Sequence, residues 1–188
     1  GTFDSGTSVT VIAAPASGYR FVNLTESGSA VSASASYTFI ASANRNLTAN
    51  FILTYSVTTS SSPVSGGTTS GGGTYDSGSQ ATVIATPSAG YRFVNWTVSG
   101  SVVSTASSYS FIVTSNRSLT ANFIQVFTVS TSSNPAAGGS TTGSGTYDTG
   151  SSVTATATAA TGYRFSNWTE GGSIVSSNAS YSFLAASN

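Results

Sequence analysis

The sequence predicts an all-β protein, a rod-like tandem array of small β-sandwich or β-grasp-like modules of about 72 residues each. Three observations carry that prediction. First, Gly-Thr-Phe-Asp-Ser-Gly at Gly1 returns as Gly-Thr-Tyr-Asp-Ser-Gly at Gly73 and as Gly-Thr-Tyr-Asp-Thr-Gly at Gly145, with no insertion or deletion between copies. Tyr19, Tyr91 and Tyr163 align, as do Phe21, Phe93 and Phe165, and Asn44, Asn116 and Asn188. Second, apolar and polar residues alternate over short runs broken by Gly, Pro, Asn and Ser, the pattern of half-buried strands. Third, no stretch carries apolar residues at helical spacing behind a capping box.

In the middle copy the elements follow in order. Tyr55-Ser-Val-Thr-Thr-Ser alternates with strand period, and Gly66-Gly67 and Gly71-Gly72-Gly73 read as turn material. Ala81-Thr-Val-Ile-Ala-Thr is β-branched and ends at Pro87, which cannot donate to a ladder. Tyr91-Arg-Phe-Val-Asn-Trp-Thr-Val sets Tyr91 and Phe93 against Val94, Trp96 and Val98, and stops at Ser99-Gly100. Tyr109-Ser-Phe-Ile-Val and Leu119-Thr-Ala-Asn-Phe complete the module, joined by Ser115-Asn116-Arg117 as a hairpin turn. The count is about six or seven short strands. A module this small must build its core from a few large side chains. Tyr91, Phe93, Trp96, Tyr109, Phe111, Leu119 and Phe123 are the expected set.

The repeats divide the chain into 1–54, which lacks a first strand, 55–126, which is complete, and 127–188, which lacks a last strand. Between copies the chain reads Phe51-Ile-Leu-Thr-Tyr and Phe123-Ile-Gln-Val-Phe, without the Gly and Ser of a flexible linker. Stiff junctions are expected, with modules spaced roughly 30–40 Å along a rod. The chain begins inside a repeat and shows no signal peptide, which reads as a segment of something longer. Each end is then either a cut or an edge that a neighbouring chain fills by strand addition.

Composition narrows function further. Only 5% of residues are charged, where ordinary domains carry roughly a quarter, and the net charge is zero. Ser and Thr make up more than a third of the chain and must supply solubility. Recurrent aromatics and Val/Ile separate this composition from disorder. A neutral chain with no basic stripe offers no field for nucleic acid, and no apolar run approaches the roughly 20 residues of a membrane helix. The joint absence of Cys, Met and Lys suits an exposed extracellular or cell-surface protein.

Around Gly90-Tyr-Arg-Phe-Val-Asn-Trp-Thr, Tyr109-Ser-Phe-Ile-Val and Asn116-Arg-Ser-Leu-Thr-Ala-Asn-Phe, the module resembles the divergent internalin B-repeat family. Gly73-Thr-Tyr-Asp-Ser-Gly and the run to Pro87 fit the opening of the same pattern, and the resemblance covers all three copies. It implies a β-rich module of large secreted or surface proteins of bacteria, occasionally archaea, used as stalk or adhesin repeats. It implies no catalytic residue. Two departures stand out: Leu24 takes the place of Trp96 and Trp168, and Ala160 the place of Pro15 and Pro87.

Candidate sites are few. Without His, Cys or Lys there is no Ser-His-Asp triad, Cys-His pair, Ser-Lys dyad or Schiff-base lysine, and Lys-Asn isopeptide bonds cannot form. Paired carboxylates for glycoside hydrolysis would be Asp4 with Glu26 and Asp148 with Glu170, but the pair dissolves where Asp76 meets Val98. No catalytic, cofactor-binding or metal-binding residue is therefore expected. The aspartate of Tyr-Asp-Ser-Gly reads as an Asx-type turn residue, against a calcium-ligand alternative. Arg20, Arg92 and Arg164 are expected to pair with Asp4, Asp76 and Asp148. The aromatics read as core, against a sugar-stacking platform, because leucine replaces tryptophan in a core but not on a stacking face. Tyr75 and Tyr147 are the better candidates for exposed contact. Asn23, Asn46, Asn95, Asn116, Asn167 and Asn178 open Asn-x-Ser/Thr triplets and read as turn and strand polar residues.

The function expected from these features is a non-enzymatic structural repeat of an extracellular stalk, adhesin or filament. The alternative is a carbohydrate- or receptor-binding module whose copies supply avidity. An appendage to a catalytic domain lying outside this segment is a third. Expected partners are neighbouring repeats or like chains, by strand addition, and surface glycans or a host receptor.

Overall fold

A computed structural model of the chain describes residues 1–186, and among them regular structure is β, with two single 3-10 turns and no α-helix. Asn188, the third member of the Asn44 and Asn116 set, lies outside the described residues. The chain forms two compact units. Residues 1–59, 70–84 and 108–119 form one, and residues 60–69, 85–107 and those from Thr120 onward form the other.

In the first unit, β1 (Ser8–Ile12) pairs antiparallel with β4 (Ser36–Ile40). The strand β2 (Tyr19–Glu26) turns through Ser27-Gly28, both at positive φ, into β3 (Ser29–Ser32), the geometry of a two-residue hairpin. On its other side β2 pairs with the long strand β5 (Leu47–Ser62), from Tyr19↔Leu53 to Glu26↔Leu47. Register slips between Phe21 and Asn23, a β-bulge. The bulge resets the alternation. In the second copy Phe93 and Trp96 lie together, with ring centroids 5.9 Å apart, where strict period-2 alternation sets them on opposite faces.

At both repeat boundaries the chain stays in strand. The fifth strand, β5, runs unbroken across the first repeat boundary for 16 residues, where typical strands have about five or six. After a 3-10 turn at Val64–Gly66, the glycine-rich stretch, where the sequence predicts turn, carries two strands, β6 (Gly67–Ser70) and β7 (Gly73–Asp76). Glycine is required there by close approach: a Cβ on Gly66 would lie 2.6 Å from Phe123 Cβ, and one on Gly71 2.1 Å from the Thr82 carbonyl oxygen. Against β5, β7 pairs from Thr54↔Asp76 to Val57↔Gly73. The eighth strand, β8 (Gln80–Pro87), is a clean period-2 strand, burying Ala81, Val83 and Ala85 and exposing Thr82, Ile84 and Thr86.

In the second unit, β9 (Tyr91–Val98) turns at Ser99-Gly100 into β10 (Ser101–Ser104), a short strand beyond those the sequence predicts. Further on, β11 (Ser108–Ile112), which belongs to the first unit, and β12 (Arg117–Val129) are not a hairpin. β11 pairs with β8, whereas β12 lies beside β9, so Ser115-Asn116-Arg117 is a corner between two sheets. The Asn116 side chain fixes that corner by accepting a hydrogen bond from the Ser56 N–H at 2.9 Å. The third copy follows with β13 (Gly139–Thr142), β14 (Gly145–Asp148), β15 (Ser152–Ala159), β16 (Trp168–Glu170), β17 (Ser173–Ser176) and β18 (Ser180–Leu184). β13, β15 and β18 form one sheet, and β14 pairs with β12.

Of the seven expected core residues, Trp96, Phe111, Leu119 and Phe123 are buried, while Tyr91, Phe93 and Tyr109 are half-buried. Smaller side chains supply the remainder: Val57, Val83, Val113 and Val153 are as fully enclosed as any aromatic. Outer faces are wet without charge. Thr10 with Thr38, Thr82 with Ser110 and Thr154 with Ser182 share cross-strand hydroxyl bonds of 2.7 to 2.8 Å.

Candidate functional site

Charged residues mark the joints between repeats. Each Gly-Thr-Tyr-Asp strand lies antiparallel along a long junction strand, with Asp76 opposite Thr54 and Asp148 opposite Val126. There the carboxylate meets an arginine from the preceding repeat. Arg20 Nε donates to Asp76 Oδ1 at 2.5 Å and its Nη2 to Oδ2; Arg92 does the same to Asp148, with Nε–Oδ1 at 2.6 Å. These are bidentate forks, the geometry that suits guanidinium to carboxylate. The arginine–aspartate pairing that the sequence suggests is therefore offset by one repeat. Asp4 and Arg164 have no ion-pair partner among the described residues. A separate fork joins Arg45 to Glu26, and the guanidinium lies 4.5 Å from the Phe39 ring centroid.

The aspartate is not an Asx turn. Its carboxylate is held by arginine, and the turn after it closes through the Asp76 main-chain carbonyl, which accepts from the Ser79 N–H at 3.0 Å and hydroxyl at 2.7 Å. Nor are Tyr75 and Tyr147 free contact residues. Both are half-buried, with hydroxyls donated to the carbonyls of Gly71 at 2.8 Å and Gly143 at 3.0 Å. Trp96 is fully buried, and its indole N–H donates to the Ser107 carbonyl at 3.2 Å. Asn23 and Asn95 accept from the side-chain amides of Asn50 and Asn122, at 2.9 and 2.8 Å. Asn167 donates to the Ser166 hydroxyl.

Electrostatics run against proton chemistry here. Hydrogen bonds from Arg20 and Arg92, with their charge, hold the Asp76 and Asp148 carboxyls below the ordinary range, and Arg45 does the same to Glu26. A general acid needs the opposite shift. Among the described residues no group of three or more Asp and Glu gathers to hold a metal.

The joints do have a pH signature. A native carboxyl held low contributes stability that is fully present above the unfolded value of about 3.9 and is lost as pH falls through the lowered native one. The thermal midpoint of the chain should therefore drop on acidification below about pH 4 more steeply than that of the Asp76→Asn/Asp148→Asn variant. Parallel curves in a pH series of thermal melts would remove this role. At neutral pH the variant should lose little, because both forks are largely exposed and salt screens them.

Modules joined by continuous strands, with carboxylates tied at the joints instead of gathered in a cleft, define a tandem β-repeat protein. The match to a family model agrees: three copies of the divergent InlB B-repeat domain cover residues 1–54, 57–126 and 129–188. The chain belongs to that family of bacterial surface repeat domains, which is typically non-catalytic. Neither the curated proteins nor the solved structures compared with the chain include a match.

Proposed function

We propose that the chain is a non-enzymatic structural repeat of a bacterial (or archaeal) extracellular stalk, adhesin or filament, with its repeats set at fixed spacing. One observation carries the reading. Each repeat boundary lies inside a single unbroken strand, β5 or β12, where a bead-string protein would have a Gly/Ser linker. The arginine–aspartate forks across the same boundaries support it.

Small-angle scattering from arrays of increasing repeat number tests the proposal. The longest dimension should grow by roughly 30–40 Å per added repeat, since a compact domain of this size is about 30 Å across. A flexible bead-string ensemble would overturn it. Saturable binding of a glycan or receptor by one isolated repeat would favour the avidity reading instead.

A further inference from the structure

The first and last strands of the middle repeat lie side by side and point the same way. That repeat enters on β5 and leaves on β12, which are neighbours in the sheet order β10-β9-β12-β5-β2-β3. Contacts between the two advance together along both strands. The Ser56 N–H donates to Asn116 Oδ1 at 2.9 Å, the Thr58 hydroxyl reaches the Arg117 carbonyl at 3.5 Å, and the Ser60 and Thr120 hydroxyls share a bond of 3.2 Å. Each of these contacts lies within one compact unit. Residue numbers that rise together on both strands define a parallel pair.

Neither strand is an edge. β5 also pairs with β2 and then β7, and β12 lies beside β9. No glycine or proline interrupts either strand. Val57 on β5 and Leu119 and Ala121 on β12 are fully buried, so one face of each strand is closed to water. Strand direction decides how such a pair meets tension. Pulling along the chain draws the start of β5 toward the preceding repeat and the end of β12 toward the following one. In a parallel pair those two points are at opposite ends of the ladder, so the strands must slide past each other. Sliding loads every rung at once, whereas an antiparallel terminal pair would peel open one rung at a time.

We propose that the parallel pair of β5 and β12 is a shear clamp, which gives the middle repeat a load-bearing function. The continuous junction strands deliver tension straight into the clamp, because each is itself one of its two strands. The Asn116 side chain, which ties the start of β12 to Ser56, locks the end of the ladder where β5 is drawn back. The use of the clamp rests on the stalk reading, since only a protein under tension needs one, but its mechanical strength does not. Scattering from arrays and the force measurement below therefore fail independently.

Pulling the same 188-residue chain in two directions is the test. The chain has no cysteine, so introduced pairs give defined tether points. Ser56→Cys with Gln125→Cys puts the tethers at opposite ends of the parallel pair and loads it in shear. Ser56→Cys with Ser115→Cys puts both at one end and peels it. All three native side chains are exposed, so the urea midpoints of the two untethered variants should agree. At one loading rate in an optical trap, the shear pair should unfold at several-fold higher force than the peeling pair, because forced unfolding is set by the unfolding barrier. Equal forces, a higher force for the peeling pair, or a force difference that merely follows a difference in urea midpoint would overturn the proposal.

Discussion

Trp96→Ser should unfold the repeat that contains it, whereas Trp96→Leu should cost only about 2 kcal/mol. The indole is the largest fully buried side chain, meets Phe93 at 5.9 Å between ring centroids and gives its N–H to the Ser107 carbonyl. Serine leaves a cavity and places a hydroxyl in an apolar site, a loss of about 3–5 kcal/mol or more. That is comparable to the whole stability of a small domain. Leucine keeps the burial: Leu24 occupies the same sequence position in the first copy at 4% exposure. Urea titrations followed by circular dichroism separate the two variants. Equal, small effects would mean that the indole contributes nothing to the core.

Gly71→Ala should destabilise the chain by about 2–4 kcal/mol. Gly71 sits at φ +87°, and a Cβ there would lie 2.1 Å from the backbone oxygen of Thr82. No side-chain rotation relieves a clash with backbone. The β6–β7 corner would have to lift from β8, carrying with it the Gly71 carbonyl that the Tyr75 hydroxyl holds. Gly78→Ala is the control. It has similar φ and nothing within 4 Å of the added carbon, so only the strain of about 1 kcal/mol remains. Equal melting temperatures for the two variants would show that the close approach costs nothing.

Much of the fold was legible because β8 and β9 obey local rules. The alternation of Ala81, Val83 and Ala85 with Thr82 and Ile84 gives strand and face together, and β9 ends where Ser99-Gly100 says it should. What escaped was non-local. A bulge such as that between Phe21 and Asn23 adds one residue to a strand without a sequence marker, and Phe93 and Trp96 are neighbours where alternation sets them on opposite faces. Glycines chosen for close approach look like glycines chosen for turns, which hid β6 and β7. Asn116 announces a corner but not which strands it joins. The site was blurred for a different reason. With the sequence repeating, Arg20 sees equivalent aspartates at Asp4 and Asp76, and only three-dimensional pairing selects the second.

That offset has an evolutionary consequence. Arg20 and Asp76 are separated by the same 56 residues as Arg92 and Asp148. The unit that is copied and the unit that is clasped are thus out of phase. Recombination between any two equivalent points of the gene deletes or inserts a whole period and restores every fork across the seam. Crossovers at non-equivalent points leave a guanidinium facing no carboxylate. A change of length by a whole period therefore leaves the joints the same.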